Sequence, residues 1–144
     1  MIVLDAAALV ALAKDEPAAD EVSAILEGGE AAISSINLAE LIDQLVRLDG
    51  RDPQHVDALV QPLVEENLQV RRPGHEDAWR AALIRARHYH RKTCALSLAD
   101  CFLLAAAGGG DGIATSDRPV AAVARAEGIK LIGLRNSSGQ RPQS

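Results

Sequence analysis

Two cysteines, Cys94 and Cys101, are all that the sequence has. They are too few for a disulfide framework and lack metal-finger partners at the usual spacing, so both are expected to be reduced and packed. Aromatic residues are scarce, with one Trp, one Tyr and one Phe, so any core must be built from Ala, Leu, Val and Ile. Those are plentiful: 48% of the 144 residues are hydrophobic, enough for one domain around one core. Long apolar runs are absent. The stretch Ala6 to Ala13 falls well short of the ~20 residues that cross a bilayer, and no cations precede it. No membrane span or secretion signal is visible, and a cytoplasmic location is expected. Positive charge is also in deficit, with a net charge of −5. Lys and Arg supply most non-specific affinity for phosphates, so this balance opposes nucleic-acid binding unless acids gather at one site and bound divalent cations reverse the local sign.

What is present is an alternation of short apolar runs and helical periodicities. Ile2-Val3-Leu4 stops at Asp5 and feeds an Ala/Leu-rich helix, Ala7 to Lys14. A helix from Pro17 to Glu27 ends at Gly28-Gly29, and Ala31 to Ser34 reads as a second strand. Ile36, Ala39, Ile42, Leu45 and Val46 recur at helical spacing, capped by Ser34 or Ser35 and ended by Gly50. Asp52 to Glu66 is a further helix, which Pro62 is expected to bend or end early. Leu68 to Val70 is the third strand. The segment His75 to His90 is predicted as a long amphipathic helix with Trp79, Leu83 and Ile84 on its apolar side. Ser97 opens a helix through Ala107, stopped by Gly108 to Gly110. Gly112 to Thr115 is a strand, Arg118 to Glu127 a helix, and Lys130 to Ile132 the last strand. Strands alternating with helices imply an α/β three-layer fold around a mainly parallel sheet. Asn136 to Ser144 is polar and expected to be loose.

Ligands of open parallel sheets collect beyond the carboxyl ends of the strands, where strand order reverses. Asp5 follows the first strand and Asp117 lies just past the fourth; Glu40 enters from the helix after the second, and Asp100 sits in the first turn of its own helix. Convergence of these four acids would make the oxygen-rich environment that Mg²⁺ or Mn²⁺ prefers. Such a site activates water and hydrolyses phosphodiesters. Each acid also has an ordinary structural explanation. Asp5 and Asp117 are good helix caps, Ser97 to Asp100 resembles a capping box, and Glu40 suits a solvated helix face. Caps do not explain why four acids would share one edge.

In order along the chain, Ile2-Val3-Leu4-Asp5, Ser35-Ile36-Asn37-Leu38-Ala39-Glu40-Leu41, Leu96-Ser97-Leu98-Ala99-Asp100 and Ala114-Thr115-Ser116-Asp117-Arg118 resemble the PIN-domain family, and more closely its VapC-type toxins. The resemblance implies a PIN fold with a five-stranded parallel sheet over residues 1–134, with 135–144 a polar tail. It implies a Mg²⁺- or Mn²⁺-dependent endoribonuclease, the toxin of a type II toxin–antitoxin pair, with Asp5, Glu40, Asp100 and Asp117 as metal-holding catalytic acids. Thr115 and Ser116 match positions where such proteins place hydroxyls beside the metal. Relatives are commonly homodimers, inhibited by a VapB-type antitoxin. Many carry Ser or Thr where this chain has Ala7. A module that binds RNA or protein without cutting is the alternative.

Between Arg71 and Lys92 the chain carries Arg71, Arg72, Arg80, Arg85, Arg87, Arg91 and Lys92 against only Glu76 and Asp77. This is the candidate grip on RNA phosphates, with Arg85, Arg87, Arg91 and Lys92 nearest its end; a solvated helix face explains it equally well. His88 and His90, two apart, do not face each other on a helix and are read as surface residues. Gly108 to Gly112 precedes a strand and is a link, not a phosphate loop.

Overall fold

The computed structural model describes residues 1–142. Five strands form: β1 (Ile2–Leu4), β2 (Ala31–Ser34), β3 (Leu68–Arg71), β4 (Gly112–Thr115) and β5 (Lys130–Gly133). All pair in parallel, in the order β3-β2-β1-β4-β5. The chain builds outward from β1 in one direction, then returns to its other side for β4 and β5. Strand order therefore reverses between β1 and β4, whose register sets Ile2 opposite Gly112 and Leu4 opposite Ala114.

Side chains alternate across a strand, which decides which core each residue enters. Ile2, Leu4, Ala31, Ile33 and Ala114 face one layer, made by α1 (Ala6–Ala13), α2 (Ala19–Glu27), α3 (Ser35–Asp43) and α4 (Pro53–Glu66). Val3, Ala32 and Ile113 face the other, made by α5 (His75–His88), α6 (Leu98–Ala106) and α7 (Arg118–Ala126). Both faces are covered, as a parallel sheet of apolar strands requires. Each fully buried Leu, Ile or Val contributes roughly 1.5–3 kcal/mol relative to exposure.

Four local features differ from expectation. The helix expected from Ile36 to Leu48 is α-helical only to Asp43 and continues as a π-helical turn, Gln44–Leu48. That wider turn leaves Leu45 buried and Leu48 exposed. Pro62 neither ends nor shortens α4, which runs on to Glu66. Its ring is exposed while Val56, Val60, Leu63 and Val64 pack on the first core, and that packing outweighs the single lost hydrogen bond. On α5 the buried side is Ala81 and Ile84; Trp79 and Leu83 are 61% and 49% exposed. Beyond β5 the chain is held up to Pro142, since Arg141 donates to the Gly133 carbonyl (2.6 Å) and Glu21 (3.1 Å). Gln143 and Ser144 lie outside the described residues. No described helix is long and apolar enough to cross a membrane.

Candidate functional site

Parallel pairing of β1 with β4 brings the residues after both strands side by side at the switch point. Asp5 is buried there, 8% exposed, as the N-cap of α1; one carboxylate oxygen accepts the Ala8 amide at 2.8 Å. The other accepts the hydroxyl of Thr115, the last residue of β4 and itself fully buried. The Thr115 oxygen also accepts the Asp117 amide at 3.0 Å, so one hydroxyl ties the two acids together. Asp117 caps α7, accepting the Val120 amide at 2.9 Å through Oδ1. Ser116 is half-buried, and its hydroxyl has no hydrogen bond among the described residues.

Asp100 comes from a third element. Ser97 caps α6 and accepts the Asp100 amide, while Asp100 Oδ2 accepts the Ser97 amide, each at 3.0 Å. Glu40 comes from the second turn of α3, where the Asn37 amide nitrogen donates to its Oε1 at 2.8 Å. The same nitrogen donates to the Ala99 carbonyl at 3.2 Å, fastening the Glu40 turn to the residue before Asp100. Sequence reasoning quoted Asn37 but gave it no role. The available signal was its spacing, three before Glu40 on a helix, where the two side chains meet.

The electrostatics report the convergence. Burial pushes the Asp5 carboxyl up to about 6; the Thr115 and Ala8 hydrogen bonds oppose this, while the charges of Asp117 and Asp100 add to it. Asp100 is raised as well, by burial first and then by Asp117 against the Ser97 hydrogen bonds. Three of the four acids therefore feel one another. Glu40 is linked to this group indirectly, through Asn37 and the Ala99 carbonyl beside Asp100.

Among the described residues, no three Asp, Glu, His or Cys side chains close round a point where one ion would touch them all. Each acid is held by a local donor: the Ala8 amide for Asp5, Asn37 for Glu40, the Ser97 amide for Asp100 and the Val120 amide for Asp117. The caps use only part of their capacity. One oxygen each of Glu40, Asp100 and Asp117 has no hydrogen bond among the described residues, and the buried Asn37 Oδ1 has no partner. A set of carboxylate and amide oxygens is the hard donor set that Mg²⁺ or Mn²⁺ takes, so the residues fit a divalent cation of that kind.

Of the basic stretch, much is already engaged. Arg71 donates to the Ala106 carbonyl and Asp111, Arg80 to the Ala105 and Ala107 carbonyls, and Arg85 to the Leu96 carbonyl while lying 4.5 Å over the Tyr89 ring. Arg87 and His88 both bind Glu127. Arg72, Arg91 and Lys92 are left without a side-chain partner among the described residues. Both cysteines are free; Cys101 is buried and Cys94 half-buried. A cavity of about 430 Å³ lies over β2 and β3, lined by Ser34, Arg72, Asp77 and Phe102 among others, and none of the four acids lines it.

The family model described as PIN domain matches residues 2–118. No curated protein sequence matches. Among solved structures, the chain is similar to a DNA-bound VapBC from Salmonella typhimurium, at 23% identity over 91% of this chain and 96% of that one, TM-score 0.67. It is similar to FitAcB from Neisseria gonorrhoeae, at 21% identity over 92% and 96%, TM-score 0.65. It is also similar to the sarcin-ricin loop cleaving toxin VapC20 of Mycobacterium tuberculosis, at 17% identity over 90% and 85%, TM-score 0.58.

Proposed function

Because the chain belongs to the PIN-domain family, we propose that it is a divalent-metal-dependent endoribonuclease, the toxin of a toxin–antitoxin pair, with Asp5, Glu40, Asp100 and Asp117 holding Mg²⁺ or Mn²⁺. The observation that carries this reading is the burial of Asp5 beside Asp117 and Asp100 at the point where strand order reverses. The cation, when bound, neutralises phosphate charge and makes water a competent nucleophile at neutral pH. The chain's own residues do the positioning. Thr115 holds Asp5 and sets the Asp117 backbone; Asn37 aims Glu40; Ser97 fixes Asp100 at the head of α6. Arg91 and Lys92, exposed between α5 and α6, bind flanking phosphates. Attack by water rather than by the 2′ hydroxyl leaves a 3′ hydroxyl and a 5′ phosphate.

The Salmonella typhimurium neighbour is a VapBC assembly, which supports a VapB-type antitoxin as partner. The exposed Trp79, Leu83, Tyr89 and Leu98 supply apolar surface suited to a protein cover, whether antitoxin or a second copy in a homodimer. The test is cleavage of single-stranded RNA by the purified protein. Activity is expected with Mn²⁺, none with EDTA, and restoration when Mn²⁺ is returned. Asp5→Asn and Asp100→Asn should abolish it with circular dichroism unchanged. Cleavage that persists in EDTA, or in either variant, removes this mechanism.

A further inference from the structure

A second cavity, of about 280 Å³, lies on the side away from β2 and β3; none of the four acids lines it, but residues next to Asp5 and Asp117 in the chain do. Ala7 and Ala8, which follow Asp5 on α1, form part of its wall, and Ser116, between Thr115 and Asp117, forms another part. Its apolar lining is small, with Ala11, Ala18 and Leu134 among it, while Glu16, Gln44, Arg135 and Asn136 bring polar groups to the same space. The chain is fixed around it. Asp15 adopts a left-handed backbone, φ 53°, and the Glu16 amide returns to the Ala11 carbonyl at 2.9 Å, a rigid end to α1 that sets Glu16 in place. The Leu134 amide donates to the Thr115 carbonyl at 2.9 Å, extending the pairing of β5 with β4 and setting Arg135 near Ser116. Asn136 accepts the Ser138 and Gln140 amides through its side-chain oxygen, which leaves its amide nitrogen to donate. Among the described residues, neither the Glu16 carboxylate nor the Arg135 guanidinium has a hydrogen-bond or ionic partner.

We propose that this pocket receives the base of a nucleotide next to the bond that is cut, and that the base is guanine. The inference deepens the ribonuclease reading and rests on it for the identity of the strand. Unpaired bases in RNA are read on their hydrogen-bonding edges. Guanine presents two adjacent acceptors, O6 and N7, which match a guanidinium, and donors at N1 and N2, which match a carboxylate. Arg135 and Glu16 supply that pair. Adenine places a donor where O6 would be and has no N2 amine. Cytosine offers a carboxylate one donor group where guanine offers two, and its single ring fills less of the cavity. The alanine methyls of the lining give a purine apolar contact. Ala7 gains a purpose here: a small exposed residue beside Asp5 leaves the mouth of the pocket open.

The experiment measures binding and cleavage separately. Short oligoribonucleotides carrying a single G, A, U or C in a constant context are bound by the full chain in Ca²⁺ buffer, followed by fluorescence anisotropy, and cut in Mn²⁺. The G oligonucleotide is expected to bind about tenfold more tightly than the others, and replacing G by inosine, which lacks the N2 amine, should lose much of that preference. Glu16→Gln should make G and inosine equal, Arg135→Ala should remove the preference for G over A, and Ala7→Leu should abolish all base preference by closing the mouth. Glu16→Gln and Arg135→Ala should bind Mn²⁺ as wild type does, since neither residue has a contact with the acids. Guanine-selective binding without cleavage upholds the pocket and removes the ribonuclease reading. Cleavage with no base preference, a preference for C, or a preference that survives all three substitutions overturns the pocket and leaves that reading intact.

Discussion

At the scale of a single residue, Asn37 carries more than its size suggests. It is 1% exposed, and one amide nitrogen serves two acceptors on different helices, Glu40 Oε1 and the Ala99 carbonyl, while its own oxygen stays buried and unpartnered. A buried polar atom without a hydrogen bond costs about 1–3 kcal/mol, which a purely structural position would have little reason to keep. If Asn37 sets the carboxylate that receives the cation, its loss should appear first in metal affinity. Asn37→Ala is expected to weaken Mn²⁺ binding by titration calorimetry about tenfold, the lower end of what outer-shell substitutions do. Asn37→Asp, of the same size, should lose more, because it replaces a donor between two acceptors by a third acceptor. Unchanged Mn²⁺ affinity in Asn37→Ala would reduce the residue to packing. Of the four proposed acids, Asp5, Asp100 and Asp117 stand out in the sequence because each follows a strand or opens a helix, a place with strong local signals, whereas Glu40, in the second turn of α3, has a weaker one. Asn37 does not stand out, because its importance lies in a contact with Ala99, 62 residues away, that only the packing of α3 on α6 creates.

At the scale of elements, the strands were easy to read and the outer helices were not. Continuous apolar runs bounded by Gly, Asp or Pro specify a doubly covered strand almost by themselves, as Gly112 to Thr115 does. The face of α5 was misread because bulk suggested Trp79 and Leu83, whereas α5 seats on α6 through Ala81 and Ile84. Small side chains let two helices approach closely, and that approach makes the basic stretch structural. The last carbonyls of a helix lack partners within it. At the end of α6, Arg80 takes those of Ala105 and Ala107, and Arg71 takes that of Ala106. Residues that a charge count assigns to phosphate thus serve as C-terminal caps supplied by neighbouring elements. Arg80→Ala is expected to cost about 1–2 kcal/mol, a fall in Tm of several degrees, without weakening RNA binding. Arg91→Ala and Lys92→Ala should do the opposite, leaving Tm in place and lowering RNA affinity. A loss of affinity in Arg80→Ala at constant Tm would return that arginine to the RNA-binding set.

At the scale of the whole molecule, two sets of carboxylates respond to acid in opposite directions, and their sum is a measurable profile. Asp5 sits at about 6 in the fold against an ordinary 3.8, so between those values the folded chain binds the proton more tightly than the unfolded one and stability falls as pH rises. Fully ionised and without a cation, Asp5 opposes folding by about 3 kcal/mol at most. Asp100 acts in the same direction. Asp111 does the reverse. Arg71 first, and then the Gly108 amide and the terminal amine of Met1, hold it down to about 2, so its contribution is complete above 3.8 and is lost as pH falls toward 2. Glu127, held low by Arg87 and His88, adds to that loss. The metal-free protein should therefore melt at a higher temperature near pH 4 to 5 than at pH 7, and then weaken steeply below 3.8. A saturating divalent cation binds the folded acids only when they are ionised, so Mn²⁺ should raise Tm at pH 7 and have no effect near pH 4, removing the maximum from the profile. Asp5→Asn should shrink the same maximum to the part that Asp100 supplies, without any metal, melting above wild type at pH 7 in EDTA and matching it near pH 4. A flat Tm from pH 4 to 7 in EDTA, in a protein that also ignores Mn²⁺, would mean that the acids at the β1–β4 crossover do not share a field, and the cation site would go with it.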